Sequence, residues 1–238
     1  MSRIVFVTGG TRGIGRGIAQ AFTALGDTVI VGGRREPADD TYAFAQGDIR
    51  DPEQAKQIVD GIVSQHGRID VLVNNAGGSP PADSATASPR FTEAILRLNL
   101  TAPFVLSQAA NAHMQAAEGG VILNICSVSG MRGSPTTAAY GAAKAGLLNL
   151  TKTLAIEWAP KVRVCAITPG LVWTEQSGDH YPDPDAISAT VPAGRFGTPE
   201  DIAGAAVFLA SDAASYATGS NLVLDGGGEW PAFLRPKG

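Results

Sequence analysis

Tyr140 and Lys144 are the residues of this sequence whose types and spacing could perform acid/base chemistry. They lie in an alanine-rich helical pattern that follows an apolar run, residues 121–125, and a Ser/Gly/Pro loop. Residues four apart on a helix share one face, one turn apart. A lysine ammonium about 4 Å from a phenol, at an effective dielectric of about 20, favours the phenolate by roughly 4 kcal/mol, or at most about three pKa units. The pair therefore predicts a tyrosine that donates a proton to a carbonyl oxygen and takes it back.

Ser127 is the third residue of this candidate site. It follows the carboxyl end of the apolar run 121–125, where its neutral hydroxyl would orient the oxygen that Tyr140 protonates. A Tyr and a Lys four residues apart often do no more than share a solvated helix face. The catalytic interpretation therefore depends on the elements that surround these three residues.

Size and composition favour one α/β domain with a substantial core. The chain has 238 residues, of which 44% are hydrophobic and 17% charged, and domains of this class and size commonly stay single. The net charge of −4 argues against a nucleic-acid partner. No apolar run reaches the roughly 18 residues of a membrane span, and residues 1–3 lead straight into a strand without a signal peptide. We therefore expect a cytoplasmic protein that has no membrane partner.

No metal site is expected from the cysteines or histidines. Cys126 and Cys165 both lie in apolar strand-like runs, which is typical of buried, reduced thiols. His66, His113 and His180 are scattered without ligand spacing. We interpret all five as packing or surface residues.

The N-terminal residues predict a dinucleotide site. A β-branched run at 4–7 is typical of a strand buried on both faces. It ends in TGGTRGIG (residues 8–15), and a helical pattern continues to about Leu25. Glycines let the backbone turn tightly and approach a pyrophosphate at the helix N-terminus. The spacing is T-G-x-x-x-G-x-G and departs from G-x-G-x-x-G. The predicted cofactor contacts in this turn are Gly9, Thr11, Arg12, Gly13, Ile14 and Gly15.

Two arginines after the second strand favour NADP(H) over NAD(H). The strand at 28–31 is followed by Gly-Gly and then Arg34 and Arg35. A guanidinium suits the 2′-phosphate of NADP, whereas a carboxylate would bind the ribose hydroxyls of NAD. Arg34 is expected to meet this phosphate together with Arg12. The alternatives are that both arginines are ordinary loop charges and that Glu36 serves NAD.

The following segment is expected to form the adenine end of the site. The connection at 37–40 is too short for the helix that a parallel crossover usually contains, so we predict a loop before a strand at 42–45. Asp48 is then placed at the adenine edge, with Ile49 beside it. A helix is predicted from Pro52 to about Gln65.

The middle of the chain continues the strand and helix alternation. A strand at 69–73 ends in NNAG, whose Asn75, Ala76 and Gly77 would lie against the cofactor. A loop at 79–88 precedes a single long helix predicted over 89–116. Asn99 falls inside that helix, where a packing role and a functional kink are equally compatible with the composition.

The C-terminal part of the chain predicts a lid. A helix runs past Tyr140 to about Trp158, and a strand at 161–167 ends in Thr-Pro-Gly. Residues 171–198 contain Pro182, Pro184 and Pro192 without sustained periodicity, which indicates a mobile lid over a substrate pocket. A helix from Pro199 and a last strand at 221–224 complete the pattern.

With these motifs assembled, the sequence resembles the short-chain dehydrogenase/reductase family over almost its whole length. The residues that carry the resemblance are TGGTRGIG (8–15), NNAG (74–77), Asn99, Ser127, YGAAK (140–144), Pro169-Gly170 and DGG (225–227). The resemblance implies a single-domain, Rossmann-like α/β fold over residues 1–238, with a doubly wound seven-stranded parallel sheet. It also implies a homotetramer assembled through the helices from Pro89 and Thr137 and the last helix and strand.

The resemblance also implies roles for the candidate site residues. Tyr140 would be the general acid/base, Lys144 would lower its pKa and bind the nicotinamide ribose, and Ser127 would hold the substrate oxygen. Asn99 would hold a water in a proton relay. The segment after the sixth strand would add cofactor contacts from Pro169, Gly170, Val172 and Thr174.

These features predict an NADP(H)-dependent oxidoreductase that interconverts a carbonyl and a secondary alcohol. We expect a small or apolar ketone, because residues 114–120 carry no base and the lid carries Glu175, Asp179, Asp183 and Asp185, so an acidic carrier protein would be repelled. Trp173, Tyr181 and Met131 are candidate pocket walls, although lid aromatics can equally anchor the lid to the protein. The alternatives are a 3-oxoacyl-carrier-protein reductase and a non-catalytic NADP-binding module.

Overall fold

The apolar runs of the sequence form a seven-stranded parallel sheet. The computed structural model describes residues 2–37, 41–179, 181 and 183–230. Its strand order is β3-β2-β1-β4-β5-β6-β7, and all six pairings are parallel. The strands are β1 (Ile4–Thr8), β2 (Thr28–Gly33), β3 (Ala43–Gln46), β4 (Val71–Asn74), β5 (Gly120–Ile125), β6 (Val162–Pro169) and β7 (Asn221–Leu224). The order reverses between β1 and β4, and ligands bind at the carboxyl ends of the strands at such a point.

Helices cover both faces of this sheet. They are α1 (Gly13–Ala24), α2 (Pro52–His66), α3 (Pro89–Leu96), α4 (Ala102–Ala116), α5 (Ala138–Trp158), α6 (Pro184–Ser188) and α7 (Pro199–Leu209), with a π-helical turn at Arg97–Thr101. Local signals set several N-termini. Asp51 accepts from the backbone N–H groups of Glu53 and Gln54 at the start of α2, and Thr198 forms a capping box with Asp201 at the start of α7.

The alternation of side chains along the strands divides the core into two layers. Val5 and Val7 of β1 pack with Phe22 of α1 and with α7, whereas Ile4 and Phe6 pack on the other face with α2 and α4. β1 is buried along its whole length, as its β-branched run predicts. The two layers fix the sheet edge that carries the candidate site.

Most predicted elements are confirmed within one or two residues at their ends. The seven-stranded parallel sheet and the Rossmann-like α/β class, both implied by the family resemblance, are found as expected. Between β2 and β3, residues 34–37 and 41–42 contain no helix. Residues 38–40 of that predicted loop lie outside the described residues.

Two expectations about elements are wrong. The single helix over 89–116 is divided, because the π-helical turn at Arg97–Thr101 separates α3 from α4. The segment 171–198, predicted to be a mobile lid, is also more regular than a loop: it contains α6, a 3-10 turn at Ser177–Asp179, and a parallel bridge between Val172 and Gly197. Among the described residues, no helix has the length and apolar character to cross a membrane.

Candidate active site

The glycine turn after β1 forms a close-packed cradle at the start of α1. Gly9 and Gly13 have positive φ angles of 64° and 52°, which favour glycine. A Cβ on Gly15 would lie 2.4 Å from both the side-chain nitrogen of Asn75 and the carbonyl oxygen of Gly9. A Cβ on Gly10 would lie 2.6 Å from Val31. The cradle therefore excludes side chains where a dinucleotide backbone would approach, and it fits such a cofactor.

Thr8 joins this turn to the end of β4. Its hydroxyl accepts hydrogen bonds from the backbone N–H groups of Asn75 and Ala76, both at 3.0 Å. The Asn75 amide in turn donates to the carbonyl oxygen of Thr8 at 2.9 Å. The predicted residues Asn75 and Ala76 thus lie against the glycine turn. Thr8 was not predicted as a site residue, although its place at the carboxyl end of β1 is a usable signal.

Asn99 is fully buried, and its side chain fixes the start of the 78–88 loop. Its amide nitrogen donates to the carbonyl oxygens of Gly78 and Ile95, and its oxygen accepts from the Gly78 N–H at 2.9 Å. A Cβ on Gly77 would lie 2.7 Å from the Asn99 oxygen and 3.4 Å from Lys144 Nζ. The absence of a side chain at Gly77 therefore leaves room for the side chains of both Asn99 and Lys144.

Ser127 lies where β5 ends and a 3-10 turn, Val128–Gly130, begins. Its hydroxyl accepts from the Ser129 N–H at 3.2 Å. Beside it, burial raises the pKa of the Cys126 thiol to about 11, and this thiol stays protonated at neutral pH. Ser127 supplies a hydrogen bond that lowers the pKa of Tyr140, so the structure brings these two predicted residues together.

Tyr140 and Lys144 face each other on the first turns of α5. Lys144 is buried, its Nζ lies 5.6 Å from the centre of the Tyr140 ring, and it donates to the carbonyl oxygen of Ile125 at 2.7 Å. Burial lowers the pKa of Lys144 to about 8. Burial also raises the pKa of Tyr140, against the hydrogen bond from Ser127.

The pKa of Tyr140 is therefore raised overall in this arrangement, whereas the sequence led us to expect a lowered one. The ammonium lies beside the ring and donates to a backbone carbonyl, and loss of hydration is the largest effect on the phenol. Spacing along the helix predicted that the two side chains share a face. It carries no information on how deeply they are buried.

The segment after β6 crosses the start of α1. Gly170 follows Pro169 in close contact with the chain after β7, because a Cβ there would lie 2.7 Å from Asp225 Cα. Thr174 Cγ2 lies 3.4 Å from the position of a Cβ on Gly13. Val172 forms a parallel β-bridge with Gly197, and its side chain is half-buried. Thr174 is thus the predicted residue of this segment that reaches the glycine turn.

At the predicted adenine end, Arg12 and Arg34 are exposed. The Asp48 carboxylate pairs with Arg50, two residues further on, at 2.5 Å. This hydrogen-bonded pairing lowers the pKa of Asp48. Arg50 was not predicted. Ile49 is 8% exposed and packs in the core beneath α2, so its side chain lies away from the sheet edge.

The predicted aromatic wall is a three-ring cluster. Phe196 lies 5.3 Å from Trp173 and 5.2 Å from Tyr181 between ring centres. Tyr181 is near enough to Tyr140 to raise its pKa further. Met131 is 54% exposed and contacts the Asn221 amide. Phe196 was missed because it lies 15 residues beyond Tyr181 in sequence and is brought to the cluster by the long-range bridge between Val172 and Gly197.

A family model supports the same interpretation of the chain. The model described as enoyl-(acyl carrier protein) reductase matches residues 9–229. This span contains the glycine turn, the Ser-Tyr-Lys group and the lid, and it leaves out only the first eight and last nine residues of the chain.

Relatives and a solved structure cover nearly the whole chain. It is 35% identical to the 3-oxoacyl-acyl-carrier-protein reductase FabG of Thermotoga maritima over 239 residues, covering 94% of this chain and 97% of that protein. It is 38% identical to a 3alpha-hydroxysteroid dehydrogenase of Mediterraneibacter gnavus, covering 94% and 96%. The structure of ElxO with NADP bound superposes with a TM-score of 0.89 at 32% identity, covering 95% and 98%. The chain therefore belongs to the short-chain dehydrogenase/reductase family and is an oxidoreductase that acts on carbonyl and alcohol groups.

Proposed function

We propose that the whole chain is one catalytic domain that reduces a ketone to a secondary alcohol with NADPH, with Ser127, Tyr140 and Lys144 as the reacting group. The observation that carries this is the buried Lys144, whose Nζ lies 5.6 Å from the Tyr140 ring. Burying an amine costs free energy unless hydrogen bonds or an opposite charge offset the loss of hydration. A lysine that stays buried with few such partners is therefore a candidate for a functional role. A single backbone carbonyl, that of Ile125, is the hydrogen-bond acceptor found for it among the described residues.

The bound nicotinamide supplies or accepts the hydride. The residues proposed to hold this cofactor are Gly9, Thr11, Arg12, Gly13, Ile14, Gly15, Arg34, Asp48, Ile49, Asn75, Ala76, Gly77, Tyr140, Lys144, Pro169, Gly170, Val172 and Thr174. Glycine N–H groups at the start of α1 would bind the pyrophosphate. For Ile49 the backbone is the proposed contact, because its side chain is in the core.

The protein residues handle the proton. Ser127 and Tyr140 hydroxyls bind the substrate oxygen, and Tyr140 donates its proton as the oxygen becomes an alkoxide. Protonated Lys144 stabilises the phenolate left behind. With a pKa of about 8, Lys144 can also return a proton near neutral pH. Asn99 would hold a water of the proton relay, since its side-chain oxygen and Lys144 Nζ both lie near Gly77, at 2.7 and 3.4 Å from the position of a Cβ there.

An apolar ketone is the proposed substrate class. Trp173, Tyr181 and Phe196 place three aromatic rings on the lid, and aromatic rings bury large apolar areas. The hydroxysteroid dehydrogenase among the relatives acts on a substrate of this kind. The similarity to FabG instead supports the alternative substrate, a 3-oxoacyl group bound to a carrier protein. The charges near residues 114–120 argue against a carrier protein, because this segment contains no basic residue. The neighbouring Lys161 already donates hydrogen bonds to the carbonyl oxygens of Gln115 and Ala117.

Oxidation of NADPH and NADH against a panel of carbonyls tests the proposal. The panel contains small diketones, quinones, steroid ketones and 3-oxoacyl thioesters. Tyr140→Phe should lower turnover at least about a hundredfold, and Tyr216→Phe, at a fully exposed tyrosine, should leave it unchanged. Full turnover in Tyr140→Phe would contradict the assignment. Tight NADPH binding without turnover on any carbonyl would instead favour a non-catalytic binding module.

A further inference from the structure

The lid places a carboxylate on the first turn of α1, inside the glycine cradle. Glu175 Oε1 accepts a hydrogen bond from the Gly13 N–H at 3.0 Å, across 162 residues of sequence. Its second oxygen lies 4.0 Å from the position of a Cβ on Gly13. Helix α1 has no acidic residue in its first turn, and its N-cap residue Arg12 makes no side-chain cap. Glu175 therefore acts as a helix cap supplied from a distant segment.

The charges around Glu175 are those that an anion prefers. Hydrogen bonds from its own backbone N–H and from Gly13 lower the pKa of the Glu175 carboxyl, and Arg16 and Arg12 act in the same direction. The group is therefore anionic at neutral pH. Glu175 accepts a hydrogen bond from an N–H at the N-terminus of α1. Phosphate groups of dinucleotides bind at this helix end in this type of fold.

A hydrogen-bonded turn holds Glu175 in this position. The Thr174 N–H donates to Ser177 Oγ at 2.8 Å, and the buried Ser177 hydroxyl donates to the Val172 carbonyl at 3.3 Å. The Trp173 N–H donates to the Gly197 carbonyl at 2.8 Å. The contact with Gly13 thus links α1 to a folded part of the lid.

We propose that Glu175 is an internal competitor of the cofactor pyrophosphate, and that it latches residues 171–179 to α1 until a dinucleotide takes over the Gly13 N–H. This inference rests on the proposed cofactor site. One N–H cannot serve two anions fully, and a carboxylate repels a pyrophosphate at the same helix end. Dinucleotide binding therefore releases this part of the lid from α1.

The latch lowers dinucleotide affinity by the strength of the contact that must be broken. Glu175 is exposed to solvent, so its charge is screened and the effect is modest. Glu175→Gln retains an acceptor oxygen and removes the charge. We expect it to tighten NADPH and NADH by about two- to fivefold each, because both carry the same pyrophosphate.

Two measurements test the latch. The first is the dissociation constant of NADPH and of NADH for the wild type and for Glu175→Gln. The second is amide hydrogen exchange of residues 171–179 and of Gly13 without any ligand, where Glu175→Gln should exchange faster. Asp185→Asn is the matched control, because it removes one negative charge from an exposed site on the same lid and should change neither measurement.

The outcomes separate the latch from the proposed function. Equal or weaker dinucleotide binding by Glu175→Gln, or unchanged exchange at 171–179, would overturn the latch while leaving the cofactor site in place. An identical gain in Asp185→Asn would also overturn it, because the effect would then be one of overall charge. Failure of both dinucleotides to bind the wild type would overturn the proposed function and the latch together.

Discussion

At the scale of single residues, burial decides the protonation of the candidate catalytic pair. It disfavours the charged form of each group, so the pKa of Tyr140 rises and that of Lys144 falls to about 8. At neutral pH the phenol is neutral and most Lys144 side chains are protonated. This is the starting state that a ketone reductase needs, since the phenol must donate a proton.

The lowered pKa of Lys144 predicts a pH dependence of stability. Between about pH 8 and pH 10.5 the unfolded lysine holds a proton that the folded one has lost, so the free energy of unfolding rises with pH. The free energy of unfolding of the wild type should therefore rise by up to about 3 kcal/mol relative to that of Lys144→Met as the pH increases over this range. Urea unfolding at a series of pH values measures it.

Lys152→Met is the control for this experiment, because Lys152 is exposed on the same helix and its variant reports the effect of the same substitution away from the buried site. A constant difference for Lys144→Met would show that the Lys144 pKa is not lowered in the folded chain.

The arginine after β2 predicts cofactor selectivity. Arg34→Ala should weaken NADPH binding about tenfold or more, since a guanidinium pairs strongly with a 2′-phosphate, and should change NADH binding less than about twofold. Titration with each dinucleotide measures both constants. Arg35→Ala, at the adjacent exposed arginine, is the matched control. Equal losses for the two cofactors in Arg34→Ala would contradict the assignment.

At this scale the sequence predicted the contacts that depend on local spacing. Tyr140 and Lys144 share a helix face, and Ser127 is brought beside Tyr140 because it ends a strand. Contacts that depend on long-range folding were not predictable. Glu175 reaches Gly13 across 162 residues, and nothing in the residues around either position indicates their contact.

At the scale of elements, the π-helical turn between α3 and α4 sets the position of Asn99. Pro103 lies four residues after Asn99 and cannot donate the hydrogen bond that an α-helix would require there. The wider turn at Arg97–Thr101 accommodates this missing donor. The Asn99 side chain then binds Gly78 and Ile95. The kink interpretation is therefore favoured over simple packing, and π-helical turns are frequent at functional sites.

The Asn99 contacts predict a large stability loss on truncation. Asn99→Ala would remove the three hydrogen bonds that this fully buried side chain makes to Gly78 and Ile95, at a cost of about 2–4 kcal/mol. Chemical denaturation measures the loss. Asn111→Ala on α4 is the control, since Asn111 accepts one half-buried bond from Gln115 and should cost less than about 1 kcal/mol. Similar losses in both variants would contradict this role for Asn99.

The elements that the sequence missed share one physical cause. The break in the 89–116 helix accommodates Pro103, which has no backbone N–H, and the order of the segment 171–198 depends on the bridge between Val172 and Gly197. Hydrophobic periodicity reports which residues face a core, and neither feature changes that pattern. The strands were predictable because parallel strands are buried on both faces and form continuous apolar runs.

At the scale of the whole molecule, two helices expose apolar side chains outside the cores. On α5 the exposed positions 142, 145 and 156 are apolar and share one helix face with the polar Asn149 and Lys152, and Ile156 is 81% exposed. On α7 the exposed face includes Gly204 and Phe208, the latter 49% exposed. Exposed apolar faces on regular elements are typical of association surfaces. They coincide with the helices through which the family resemblance implies a homotetramer.

These two faces predict how assembly responds to a charge. A tetramer with two-fold symmetry uses two different self-complementary surfaces, so breaking one should leave a dimer. We expect light scattering to give a wild-type mass of four 24.4 kDa chains, and half that mass for Ile156→Glu or Phe208→Glu alone. The double variant should be a monomer. Leu25→Glu, at a residue 58% exposed elsewhere on the surface, should remain tetrameric. A wild-type monomer, or a tetramer that tolerates both charges together, would contradict the assembly through α5 and α7.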